Sequence, residues 1–248
     1  MEEGTRAKVT KLTEILRNGG RIVFFGGAGV STASGIPDFR SANGLWNEKL
    51  NRNFSPEELV SHTMYMRYPE EFFEFYKDKL IYPEAKPNAA HIALAKLEEM
   101  GKLTAVITQN IDGLHQAAGS KNVFELHGSV LRNYCESCHA FYGVDHILKS
   151  EGVPKCTKCG GRVKPDVVLY EEGLDSDVID GAVNAISKAD TLIVGGTTLI
   201  VYPAAGLIHY FRGKKLVLIN MSATSADSSA DLVIHEPIGE VFRQVMGW

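Results

Sequence analysis

Ile22-Val23-Phe24-Phe25-Gly26-Gly27-Ala28-Gly29-Val30-Ser31 joins a short apolar run to a glycine-rich loop. An unbroken aliphatic and aromatic run reads as a strand covered on both faces, because a half-exposed strand would alternate. The pattern recurs. Run 104–108 leads into Gln109-Asn110-Ile111-Asp112, run 123–126 into His127-Gly128, run 191–194 into Gly195-Gly196-Thr197-Thr198, and run 216–219 into Asn220. A last run covers 232–234. Helical patterns at 8–18, 88–100, 177–188 and 203–211 separate several of them. Strand and helix in alternation predict an α/β fold with an open parallel sheet. Such sheets bind ligands beyond the carboxyl ends of their strands. Polar or glycine-rich groups follow five of these runs, which makes those loops the candidate site.

The rest of the chain sets limits. With 248 residues it has room for one large domain, or one domain with insertions. Hydrophobic residues at 44% and charged residues at 23% exclude a disordered chain. A net charge of −4 speaks against a nucleic-acid binder that relies on a basic face. No apolar stretch approaches the roughly 18 residues of a membrane helix. Met1-Glu2-Glu3-Gly4 lacks the basic and apolar regions of a leader, so a cytoplasmic protein with reduced thiols is expected.

All four cysteines fall in one stretch: Cys135, Cys138, Cys156 and Cys159, two C-x-x-C pairs separated by seventeen residues. Each pair can sit on a tight turn that aims both sulfurs at one centre. Two such turns supply the four thiolates of a closed, structural zinc site. A closed site leaves no open coordination position, so this metal holds structure. His139 is read as a bystander. Residues 128–165 thus form a zinc module, and the aromatic, charged segment 41–86 a helical one, each inserted between strands of the sheet.

Taken singly, the loops are ambiguous. Gly27 and Gly29 suit a phosphate cradle, but a plain strand-to-helix turn serves equally. The dinucleotide fingerprint asks for a third glycine where Thr32 stands, and no strand carries the expected acidic residue within 43–52. An ordinary hydride-transfer dehydrogenase is therefore disfavoured. Gly35-Ile36-Pro37-Asp38-Phe39-Arg40 reads as a proline turn with Asp38 as a cap. His127 fits either a structural role or a general base. Asn110 and Asp112 fit either ribose recognition or helix capping.

In combination the motifs are specific. The loops at 27–31, 35–40, 109–112 and 127–128, the four cysteines, Gly196-Thr197-Thr198-Leu199 and Pro203-Ala204-Ala205 occur in an order that resembles the sirtuin family of NAD-dependent protein lysine deacylases, of bacterial or archaeal type. The resemblance runs from about Lys11 to the C-terminus. It implies a Rossmann-like domain from 1–40, 87–127 and 166–248, and a small domain from 41–86 and 128–165. It implies NAD as co-substrate and structural zinc. Ala28, Gly29, Thr32, Asp38, Phe39 and Arg40 would line the NAD site, and Gln109 the ribose beside nicotinamide. Asn110, Ile111 and Asp112 would form the nicotinamide pocket, and Gly196, Thr197, Thr198, Asn220 and Ile238 the adenosine half. Val168, Leu169 and Tyr170 would bind the substrate backbone and acyl-lysine. His127, with Asn110 and Asp112, would carry the chemistry as general base. The implied reaction removes acetyl from lysine and yields nicotinamide and 2'-O-acetyl-ADP-ribose. The implied partners are acetylated proteins or peptides, with neither membrane nor nucleic acid, and the protein is expected as a monomer.

Three departures stand out. Gly26 replaces the threonine usual before Gly-Ala-Gly. Tyr170-Glu171-Glu172 replaces Phe-Gly-Glu, which bears on the tunnel wall and its turn. Tyr76 and Lys79 occupy the positions where members that remove acidic acyl groups carry Tyr-x-x-Arg. Lysine lacks the bidentate fork that suits a carboxylate, so Lys79 is read as a solvent-facing helix residue. The competing readings are a deacylase for longer or acidic groups, a protein mono-ADP-ribosyltransferase, and a zinc-ribbon binding module without catalysis.

Overall fold

The computed structural model describes residues 3–39, 44–45 and 54–248. In chain order the elements are α1 (Glu3–Asn18), β1 (Ile22–Gly26), α2 (Pro56–Leu59), α3 (His62–Arg67), α4 (Pro69–Lys79), α5 (Ala89–Glu99), β2 (Leu103–Thr108), α6 (Leu114–Ala117) and β3 (Val123–Glu125). They continue with β4 (Gly128–Cys135), β5 (Phe141–Tyr142), α7 (Val144–Lys149), β6 (Val163–Val167), α8 (Ser176–Lys188), β7 (Thr191–Gly195), β8 (Lys215–Ile219), β9 (Leu232–Ile234) and α9 (Ile238–Met246). Six parallel strands form one sheet in the order β3-β2-β1-β7-β8-β9. The order reverses between β1 and β7, which makes their carboxyl ends the topological switch point where open sheets bind ligands.

The unbroken apolar runs have a direct cause. Every residue of β1 and β7 is buried, because helices cover both sheet faces. One face packs Phe24, Ile193 and Val217 against α1, α5 and α9 through Leu12, Leu94 and Phe242. The other packs Phe25, Val194 and Leu218 against α8 through Ala182 and Ile186. The expected helix at 8–18 begins five residues earlier, at Glu3. The expected helix at 203–211 is a 3-10 helix, Ala204–Tyr210. Its first turn closes from the Gly206 N–H onto the Pro203 carbonyl, three residues back, at 3.0 Å. Among the described residues no helix is long and apolar enough to cross a membrane.

The two inserted segments share a third core. Tyr65, Phe72, Phe73 and Tyr76 of α3 and α4 pack with Val130, Ile147 and Val163 of the cysteine-bearing segment. Their rings meet edge-on or offset, with Tyr65–Phe72 at 5.2 Å and Phe72–Phe73 at 5.1 Å between centroids. Each such pair adds about 0.5–1.5 kcal/mol beyond area burial. Arg162 ties the segments together. It lies 4.1 Å over the Tyr65 ring, donates to the Tyr65 carbonyl at 3.1 Å and pairs with Glu136 at 2.7 Å. In a small antiparallel sheet, β5-β4-β6, strand β4 ends on Cys135, and the other three cysteines lie in the turns beside it.

Candidate active site

A cleft of about 1030 Å³ opens at the carboxyl ends of β1, β2, β3, β7 and β8. The expected loops meet there. Ala28, Gly29, Thr32, Asp38 and Phe39 line it from the β1 side, and Gln109, Asn110, Ile111, Asp112 and His127 from β2 and β3. Gly196, Thr197, Thr198, Asn220 and Ile238 line the far end, and Val168, Leu169 and Tyr170 border the small domain. Arg40 lies outside the described residues.

The switch point is built on close backbone approach. Gly29 N–H donates to the Gly196 carbonyl at 2.8 Å. A Cβ on Gly29 would meet Gly196 Cα at 2.8 Å, and one on Gly196 would collide with Val30 N. Gly196 also holds φ +59°, the left-handed region that glycine tolerates. The two glycines therefore let the β1 and β7 loops touch backbone to backbone at the switch point. Gln109 spans β1 and donates to Thr197 Oγ1 at 3.1 Å, which fixes the two loops to one another.

His127 follows β3 and is half-buried. Its Nδ1 lies 2.9 Å from the Gln109 carbonyl. A carbonyl only accepts, so the proton resides on Nδ1 and Nε2 keeps its lone pair. Burial lowers the imidazole pKa, and the Gln109 contact partly opposes this. The ring is thus neutral at neutral pH, the state a general base needs.

A polar chain that the sequence reading did not assemble lies beneath the pocket. Ser31 is buried. Its hydroxyl donates to Asp112 at 2.6 Å and accepts from Asn110 Nδ2 at 3.0 Å, with His91 Nε2 at 3.4 Å. Asp112 also accepts from Leu114 N–H at 2.9 Å. Both carboxylate oxygens and the Asn110 amide are thereby oriented. His115 is buried and meets His91 edge-on at 4.7 Å between ring centroids. Neither of its ring nitrogens has a protein partner among the described residues.

These two histidines set an acid limit on stability. Burial pushes His91 down to about 4 and His115 down to about 3. An unfolded histidine titrates near 6.5, so below that pH the unfolded chain binds more protons and stability falls. The loss continues until the folded values are reached, and amounts to about 2 kcal/mol per histidine by pH 5. The urea midpoint is expected to drop between pH 7.5 and pH 5. It should drop less in a His115→Leu variant, which has nothing to protonate there. An equal drop in both proteins would remove His115 from this account.

The segment 168–172 is tied to β3 on one side and to the inserted helices on the other. Val168 N–H donates to the His127 carbonyl at 3.0 Å, Tyr170 N–H to Val60 O at 3.1 Å, and His62 N–H to Tyr170 O at 2.9 Å. Glu171 adopts φ +75°, a conformation that favours the glycine usual there. Its carboxylate accepts from Thr63 N–H at 2.8 Å and Thr63 Oγ1 at 2.7 Å, which holds the turn despite the side chain. Glu172 accepts from His62, Lys164 and Leu169 N–H. Tyr76 is enclosed in the small-domain core and does not line the cleft. Lys79 does line it, with its side chain only 26% exposed, so it is a wall residue rather than a solvent-facing one.

The four cysteine sulfurs lie within 4.8 Å of one another. The closest are Cys135–Cys159 at 3.4 Å and Cys138–Cys156 at 3.5 Å. Zinc–sulfur bonds of about 2.3 Å in a tetrahedron put sulfurs roughly 3.8 Å apart, so the set fits such an ion. Ser137 and Cys138 N–H point at Cys135, and Lys158 N–H at Cys156. The Tyr142 hydroxyl, which the spacing did not foretell, donates to Cys156 at 3.1 Å and is the chief cause that lowers this thiol to about 5. The Gly161 N–H draws Cys159 down, but the surrounding sulfurs outweigh it and push Cys159 up to about 12. Four sulfurs at this spacing could hold a metal ion.

A model of the Sir2 family matches residues 27–203. The chain belongs to the Sir2 family. Among relatives, the NAD-dependent protein deacetylase of Clostridium perfringens (strain 13 / Type A) is 75% identical over 240 residues, covering 96% of this chain and 98% of that protein. The one from Staphylococcus aureus (strain Mu50 / ATCC 700699) is 46% identical over 241 residues, covering 97% and 99%. A solved Sir2 structure bound to acetylated peptide is 40% identical, with a TM-score of 0.84 over 96% of this chain and 97% of that one. Another, described as Sir2 with p53 peptide and NAD+, has 40% identity and a TM-score of 0.83, again covering 96% and 97%. The Sir2 fold thus extends across nearly all of this chain.

Proposed function

We propose that this Sir2 protein is an NAD-dependent protein deacetylase. It removes acetyl groups from lysine side chains and yields nicotinamide and 2'-O-acetyl-ADP-ribose. One observation carries the reading: a neutral histidine with its Nε2 lone pair available shares a cleft with the oriented Ser31–Asn110–Asp112 array. Relatives named NAD-dependent protein deacetylases support it.

Bound NAD supplies the ADP-ribosyl carbon that takes up the acyl oxygen as nicotinamide leaves. The chain's residues bind and orient around that event. Asn110, Ile111 and Asp112 hold the nicotinamide side, and Phe39 shields the reacting ribose from water. Ala28, Gly29, Thr32, Asp38 and Arg40 hold the phosphates and nearby ribose. Gln109 touches the ribose beside nicotinamide, and Gly196, Thr197, Thr198, Asn220 and Ile238 hold the adenosine half. Val168, Leu169 and Tyr170 pair with the substrate backbone and wall the acyl-lysine. His127 takes the ribose hydroxyl proton on Nε2. Cys135, Cys138, Cys156 and Cys159 hold a structural zinc ion. The small domain is made of 41–86 and 128–165, and the remainder forms the NAD-binding domain. The reading includes a cytoplasmic monomer, in a compartment where thiols stay reduced for metal.

The test is an acetyl-lysine peptide with and without NAD, followed by mass spectrometry and nicotinamide release. NAD-independent deacetylation, or no nicotinamide, would sink the reading. Radiolabel from NAD on protein instead of a small product would favour ADP-ribosyl transfer. On an acyl panel, acetyl turnover is expected to exceed succinyl. Tyr76 keeps its hydroxyl inside the core, and Lys79 lacks the fork a carboxylate needs. Succinyl turnover above acetyl would reverse that assignment.

A further inference from the structure

The far edge of the cleft is made by two chain segments, 220–222 after β8 and 236–238 after β9. The strand ladder stops short of both, since its last rung pairs Ile219 with Ile234. Beyond it, Asn220 N–H donates to the Ile234 carbonyl at 3.1 Å, and His235 Nδ1 donates to the Asn220 carbonyl at 3.0 Å. Main-chain groups on both sides of Asn220 are thus engaged, which fixes the tilt of its backbone. Its side chain turns onto its own loop, where Nδ2 donates to the Ser222 carbonyl at 2.8 Å. With Nδ2 so used, Oδ1 is the atom Asn220 offers to a hydroxyl in the cleft. On the other side of the imidazole, Nε2 lies 3.2 Å from Asp227 Oδ2. Carbonyl and carboxylate oxygens only accept, so a ring satisfied on both sides donates from both nitrogens. Asp227 is itself held, because its Oδ1 accepts from Thr224 N–H at 2.9 Å and Thr224 Oγ1 at 2.7 Å.

We propose that His235 is a positioning residue for the adenosine half of the NAD site, acting on Asn220 through the Asn220 main-chain carbonyl. His235 does not line the cleft, although Glu236, Pro237 and Ile238 beside it do. It staples the loop after β8 to the segment after β9, with Asp227 as the fixed post behind the ring. The staple sets where Asn220 Oδ1 meets a ribose hydroxyl. The side chain is 43% exposed, so its two bonds serve the loop more than the core. This rests on the reading of the cleft as an NAD site.

The variants are His235→Leu, which keeps bulk and removes both nitrogens, and His235→Asn, whose amide can still donate to the Asn220 carbonyl. His235→Leu is expected to weaken binding of NAD and of ADP-ribose by calorimetry about fivefold, and to raise KM for NAD to match. kcat at saturating NAD, KM for acetyl-peptide and the nicotinamide inhibition constant should stay close to the parent's, because the defect lies at the adenosine end. His235→Asn should recover most of the lost affinity. Parent-like ADP-ribose binding in His235→Leu, an equal loss in His235→Asn, or a fall in kcat with KM for NAD unchanged overturns the proposal. If His235→Leu does not fold, Asp227→Ala replaces it, since a ring without its post must give the same adenosine-side defect. Asp227→Ala with unchanged ADP-ribose binding overturns the proposal as well. A parent protein that binds neither NAD nor ADP-ribose would instead sink the deacetylase reading, so the two failures are distinct.

Discussion

Replacing His127 by alanine is expected to lower NAD-dependent deacetylation by about 10²–10⁴-fold, the usual contribution of a positioned general base. The fold should survive. Among the described residues the imidazole makes one hydrogen bond, to the Gln109 carbonyl, and losing it costs on the order of 1 kcal/mol. NAD binding by calorimetry should change little, because the proposed NAD site draws mainly on the loops of the switch point rather than on this ring. The pH profile gives a second check. The base works when neutral, so the parent's activity falls as pH drops through the His127 pKa. Burial lowers that pKa, so the acid limb should lie below the ordinary value near 6.5 and vanish in the variant. Full activity in His127→Ala would remove the histidine from the chemistry. A limb above 6.5 would contradict its burial.

How much of this was legible in the sequence depended on the kind of signal. Strands β1 and β7 announced themselves because helices on both faces demand unbroken apolar runs. The loops after them followed from the rule that open sheets bind ligands at carboxyl strand ends. The cysteine spacing was equally direct, since two short turns fix the geometry of four sulfurs. Contacts between residues far apart in the chain carry no such period. Ser31, His91 and Asp112 meet only once β1, α5 and the β2 loop are packed together. A signal for His91 did exist: Asn88 followed three residues later by a polar side chain before an apolar helix is a capping-box pattern. Histidine in place of glutamate or glutamine concealed it. Lys79 was read as a surface residue because helix position alone does not reveal that the end of α4 borders a cleft. Glu171 stood out as a departure, but only the structure supplies the Thr63 contacts that let a side chain occupy a glycine conformation.

Removal of the metal is expected to disable the small domain and spare the sheet. Structural zinc sites of this type contribute roughly 10–16 kcal/mol of folding energy at neutral pH. Without a cation, sulfurs only 3.4 and 3.5 Å apart repel as thiolates, and Cys159 takes up its proton again. The damage cannot stay local. Cys135 and Cys156 belong to the same core as Tyr65, Phe72 and Tyr76, so α3 and α4 lose their packing partner. Val60 and His62 pair with Tyr170, and their displacement releases the substrate segment. The cores on the two faces of the six-stranded sheet contain no cysteine. A Cys156→Ser variant, or protein treated with a strong chelator, should therefore lose bound zinc and acetyl-peptide affinity by at least tenfold. NAD should still bind, and thermal unfolding should split into two transitions. The conservative control is Tyr142→Phe, which removes one hydroxyl donor to Cys156 and should weaken zinc affinity about 10–100-fold with the fold intact. Zinc-free protein that keeps full peptide affinity and a single transition would show that the four cysteines do not hold the small domain together.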